Sequence, residues 1–155
     1  MLQTAHIERN INSIRTEVLL QVFADRILVL VTQLGKVGNL IQATLPSTVH
    51  LPPQPIDKPS EGNPLLAPHP SIEVTSLLGS APSAHEQQLH SLYASQIATL
   101  VWTAQQPELL NDMRRSVIVG VALKRQDPGV EDSQKRETET FLGVMDMTRE
   151  LLQKK

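Results

Sequence analysis

The stretch "RILVLVTQLGKVGNLIQATLP", Arg26 to Pro46, decides the fold. Ile27 to Val31 are five consecutive branched apolar residues, which favour an extended chain because such side chains pack well on a pleated surface. Successive side chains of a strand point to opposite faces, so Ile27, Val29 and Val31 face one way and Leu28 and Leu30 the other. Both faces of this strand need a cover. Beyond it, Gly35-Lys36-Val37-Gly38 invites two readings. A phosphate-binding loop has the order G-x-x-x-x-G-K-[ST] and opens a helix whose amides hold the phosphates. Here the lysine precedes the second glycine, no Ser or Thr follows it, and "NLIQATL" continues as a strand. In that strand Leu40, Gln42 and Thr44 alternate with Ile41, Ala43 and Leu45. The glycines then serve a hairpin connection, where they can take positive φ, and no nucleotide is implied.

Working outward, "TEVLLQVF" from Thr16 to Phe23 reads as a preceding strand joined through Ala24-Asp25-Arg26, and a short strand is expected around Arg9 to Ser13. Eight prolines fall between Pro46 and Pro70, a composition that supplies neither a strand ladder nor a packed helix. A disordered, proline-rich loop over 46–71 is expected, within a single domain spanning 1–155. "SIEVTSLL" follows as a strand closed by Gly79. Ser83 and Glu86 have the spacing of a capping box ahead of an apolar stripe at Leu89, Tyr93, Ile97, Val101 and Ala104, and Pro107 ends that helix. "SVIVGVALK" from Ser116 is apolar on both faces. A last helix carries Phe141, Met145, Thr148 and Leu152 on one side. Strands first and helices later give an α+β domain: a mainly antiparallel sheet with two helices packed on one face.

Composition removes several classes of function. The chain has 155 residues and a formal charge of −2, so no basic stripe recommends a nucleic-acid backbone or an anionic membrane. With no cysteine, thiolate metal sites and thiol nucleophiles are excluded. The charged amino terminus lacks the apolar core of a secretory signal, and a cytoplasmic or nuclear protein is expected. "HEQQLH" at His85 to His90 differs from the zinc-protease order H-E-x-x-H. A spacing of five residues sets the two imidazoles about 140° apart on a helix, so they cannot share a metal as an i,i+4 pair can. Mixed charges in "VEDSQKRETE" describe a solvated helix face, and Arg114-Arg115 a loop entering a strand. No catalytic group, cofactor or metal site is expected.

What remains is geometric. Two helices cover one face of such a sheet, and a second subunit is expected to cover the other. Leu28, Leu30, Ile41 and Ala43 are the candidate partner-binding residues. Lys36, Val37 and Asn39, at the tip of the hairpin, are the candidate client-binding residues.

"RILVLVTQLGKVGNLI" resembles the signature hairpin of the proteasome assembly chaperone 3 family, in which an I-L-V-L-V-T-Q run precedes an apolar residue, G-K, another apolar residue and Gly. Thr16, Val18 and Phe23, the "LLG" at Leu77 to Gly79, and "VIVGVALK" agree with it. The resemblance implies a non-enzymatic chaperone subunit that assists 20S proteasome α-ring assembly. It also implies a heterodimer with a proteasome assembly chaperone 4-like subunit, engaging the fifth α-type subunit, and leaves a homodimer open for the chain alone. A small trafficking adaptor of the longin or profilin-like type is the alternative; it would share the αβ layer but lack the G-K-x-G turn.

Overall fold

Among the described residues eight elements follow one another: β1 (Gln3–Ile11), β2 (Ile14–Val22), β3 (Arg26–Thr32), β4 (Asn39–Thr44), β5 (Glu73–Leu78), α1 (Ala84–Ala104), β6 (Ser116–Ala122) and α2 (Ser133–Gln153). This computed structural model describes residues 3–33, 35, 37–46, 48–49, 68–81, 83–104, 115–124 and 132–153. The proline-rich loop expected over 46–71 lies outside the described residues at positions 47 and 50–67.

The first strand is longer than expected and begins earlier. Asn12 and Ser13, expected within it, form the turn to β2, both with positive φ. Positive φ at both central residues is what a two-residue turn needs to match the twist of the strands it joins. Ala5, Ile7 and Ile11 of β1 pack against the core, while Thr4, His6, Glu8 and Asn10 alternate with them in the sequence.

All six strands form one sheet, in the order β1-β2-β3-β6-β4-β5. Four of its pairings are antiparallel and β3 with β6 is parallel. The expected hairpin between β3 and β4 is therefore split, with β6 lying between the two strands. The reason is the apolarity of β6 on both sides: Val117 to Ala122 are all buried, a requirement that only the middle of a sheet meets. Gln33 and Gly38 therefore stand on opposite sides of the end of β6. Gln33 fixes this arrangement. Its backbone N–H donates to Ala122 O at 2.8 Å, its Nε2 donates to Thr16 Oγ1 at 3.1 Å, and its Oε1 accepts from Lys124 N at 3.0 Å.

One face of the sheet carries both helices. Val18, Leu20, Ile27, Val29, Val31, Ile41, Ala43, Val117, Val119 and Val121 form a single buried cluster with Tyr93, Ile97 and Val101 of α1 and Val144, Met147 and Leu151 of α2. Fully burying one such aliphatic side chain stabilises the fold by about 1.5–3 kcal/mol. Ser83 caps α1 as expected, Glu86 N–H donating to Ser83 Oγ at 3.2 Å. Tyr93 meets Phe141 edge-on, with ring centroids 5.0 Å apart. Trp102 closes the far end of α1 by donating its indole N–H to Arg115 O at 2.8 Å.

Both turn glycines, Gly35 and Gly38, have φ of +71°, but their surroundings differ. A Cβ at Gly38 would lie 2.2 Å from Val121 O, whereas one at Gly35 would meet nothing within 4 Å. Gly35→Ala should therefore cost only the left-handed strain of an L-residue, about 1–2 kcal/mol. Gly38→Ala adds a backbone clash to that strain and should lower the urea midpoint more than Gly35→Ala does.

Candidate functional site

The register places residues in rows across the second face of the sheet. One row runs His6, Leu19, Leu30, Gly120, Leu40 and Leu78 from β1 to β5. The next runs Thr4, Gln21, Leu28, Ile118, Gln42 and Thr75. Leucine and isoleucine thus occupy the middle, and polar side chains the margins except at Leu78 on β5. Both helices lie on the other face, and among the described residues no helix packs here. Gly120 shapes the centre of the strip. A Cβ there would lie 2.6 Å from Leu30 Cδ2, 2.9 Å from Val37 O and 3.2 Å from Leu40 Cδ2, so its absence lets the two leucines close over the strand.

The expected partner-binding residues divide between the faces. Leu28 and Leu30 stand half-buried on the open face. Ile41 and Ala43 do not: at 2% and 0% exposure they belong to the core beneath the helices, which corrects the expectation for them. The same alternation turns Leu40, Gln42 and Thr44 to the open face. Leu19, Ile118 and Leu40 went unnamed from sequence, although strict alternation from Val18, Val117 and Ile41 points to each.

Of the expected client-binding residues, Lys36 lies outside the described residues, and Val37 is 46% exposed. Asn39 is half-buried and turned inward. Its Oδ1 lies against Gly79, where a Cβ would come within 2.4 Å, and its amide is 3.3 Å from His90 Nδ1. With His90 neutral, Asn39 Nδ2 donates to this nitrogen, tying the start of β4 to α1. His85 reaches the other way, its Nε2 lying 2.9 Å from Glu137 Oε1 on α2. The two imidazoles of "HEQQLH" therefore serve different neighbours and share no site.

Other chemistry is sparse among the described residues. The run from Gly35 to Gly38 opens into strand β4, not a helix, so it lacks the amide cradle that holds phosphates. His6, Glu8 and Glu17 bring one ligand atom each within 4.8 Å of one another and could meet a cation. Arg15 already holds both carboxylates, Glu8 at 2.7 Å and Glu17 at 2.8 Å. No described helix is long and apolar enough to cross a membrane.

A match to the family described as proteasome assembly chaperone 3 spans residues 29–148, from inside β3 to inside α2. The chain belongs to this family. Membership of the proteasome assembly chaperone 3 family gives the chain a role as a chaperone of proteasome assembly. Among solved structures, the chain is similar to one in the crystal structure of a novel chaperone complex for yeast 20S proteasome assembly. Identity there is 13% and the TM-score 0.48, over 94% of this chain and 98% of that one. A comparison with curated proteins found no match.

Burial lowers the pKa of His90 below its ordinary 6.5, with Glu86 one turn earlier acting in the opposite direction. The unfolded chain therefore takes up this proton first as pH falls. The stabilisation is fully present above pH 6.5 and is lost as pH drops from there toward the folded value. Urea unfolding of the chain should show a decline in stability below about pH 6.5 that is reduced in His90→Gln.

Proposed function

We propose that this chaperone is a non-catalytic subunit that assists α-ring assembly of the 20S proteasome, and that its open sheet face receives a second chaperone subunit of the proteasome assembly chaperone 4 type. The pair would engage the fifth α-type subunit, with the exposed loop around Val37 turned toward the client. The observation that carries the reading is the apolar strip of Leu19, Leu28, Leu30, Ile118 and Leu40 on a sheet whose two described helices lie on the other side. A strip of this kind favours a partner sheet, because two sheets interdigitate their side chains at a spacing of about 10 Å. Thr4, Gln21, Gln42 and Thr75 would supply the polar rim that surrounds an apolar interface centre.

Such a chaperone works by differential binding. The pair stabilises one arrangement of α-type subunits and leaves when a larger interface competes for the same surface. Moderate affinity suits this cycle, since related interfaces differ mainly in how fast they dissociate, and a very tight complex releases too slowly. The cytoplasm, and the nucleus with it, is the expected place of action. A homodimer through the same face would occupy the chain when its partner is missing.

Two substitutions separate the two contacts. Leu30→Asp places a carboxylate in the middle of the strip, and loss of association with a chaperone 4-type subunit on co-purification is expected, with the helical circular-dichroism signal retained. Retention of the complex would contradict the assignment of this face. Val37→Asp should weaken capture of the α-type subunit by about tenfold, roughly 1.4 kcal/mol, in a pull-down titration with the preformed chaperone pair.

A further inference from the structure

The six-stranded sheet has two edges, β1 and β5, and they are built differently. β1 carries His6, Glu8 and Arg9, and α2 packs beside it, with Arg9 paired to Asp146 and Glu150 of that helix. Charges and a covering helix are the usual protection of an edge against further strand pairing. β5 carries no charge cluster, and among the described residues the one helix that reaches it is α1, on the core face of the sheet. Glu73 is its one ionisable residue, and every residue from Glu73 to Leu78 except Val74 is exposed. Among the described residues no strand pairs with its outer side.

The end of this strand is apolar as well as open. The register pairs Ile41 with Ser76 and Leu40 with Leu78, so Leu77 is an extra residue and the regular ladder covers Glu73 to Ser76. Leu77 is 46% and Leu78 62% exposed. Ser76 Oγ donates to Gly79 O at 3.2 Å, holding the chain as it turns away beyond the leucines. Alternate N–H and C=O groups of an edge strand point away from its neighbour, and only another extended backbone can satisfy them in register. A charged side chain set against the two leucines would lose hydration without gaining a partner.

We infer that β5 is a strand-addition site for an extended, uncharged segment of a partner polypeptide, whose backbone pairs along Glu73 to Ser76 and whose apolar side chains rest on Leu77 and Leu78. Leu78 also ends the first row of the open face, so the two contacts adjoin, but the backbone pairing along Glu73 to Ser76 does not depend on the face-to-face contact.

The test uses the full chain and a capped peptide of about eight alternating valines and threonines, long enough for one strand. Binding should slow amide hydrogen exchange in Glu73–Leu78 several-fold and leave β3 and β6 unchanged. Leu78→Lys should weaken the peptide about tenfold while the thermal midpoint stays put, since the side chain is exposed. The same peptide N-methylated on every second residue should give no protection. Three results would overturn the inference: no slowing at β5, equal protection by the N-methylated peptide, or slowing that grows with protein concentration in the absence of peptide. The last would assign the edge to a second copy of the chain.

Discussion

The insertion of β6 between β3 and β4 is the constraint on which the rest of the molecule depends. β1, β2 and β3 form an antiparallel meander and β4 and β5 a pair, and among the described residues no ladder joins these two units except through β6. Its parallel ladder with β3 runs from Arg26 with Ser116 to Thr32 with Ala122, across a long sequence separation. Closing so large a loop costs entropy, which the burial of Val117, Val119 and Val121 under the helices offsets. Gln33 then fastens the far end of the ladder to β2 and to the residue beyond Leu123.

That insertion also makes the molecule one-sided. β5 and β6 are both antiparallel to β4, hence parallel to one another, and the chain between them must cross over the sheet. It does so as α1, on the face where α2 also lies. The sequence supplies no third long amphipathic helix for the opposite face, yet Leu19, Leu28, Leu30, Ile118 and Leu40 stand there. On the proposed reading, a chaperone of proteasome assembly built this way would carry its binding chemistry as unmatched apolar area. Its specificity would come from the shape of the strip, where Gly120 leaves room for Leu30 and Leu40 to lean over β6, and from the polar margin around them.

Much of this was legible from residue order. The β3 run, the Ser83 cap, both helices and the apolarity of Ser116 to Lys124 follow from periodicity, and the family follows from one sixteen-residue stretch. Three features were not read. The turn at Gly35 to Gly38 looks like a hairpin because local signals describe only the bend, while the strand that separates its arms comes some eighty residues later. The polar residues of β1 masked an alternation that Ala5, Ile7 and Ile11 do carry. The misplacement of Ile41 and Ala43 was avoidable: on β4 the wholly apolar set takes the core, and the set containing Gln42 and Thr44 takes the other side. For β3, with leucine, isoleucine and valine on both faces, no comparable signal exists.

The central claim is that the second face of the sheet is completed by another chain. The most direct measurement is paramagnetic relaxation of methyl groups by a soluble probe, recorded for the half-buried Leu19, Leu28, Leu30 and Leu40 in the monomeric chain and in its complex with a chaperone 4-type subunit. Strong relaxation of these methyls in the monomer, removed in the complex while Leu142 on the outside of α2 stays relaxed, is the predicted result. Methyls already shielded in a verified monomer, or still relaxed in the complex, would contradict it.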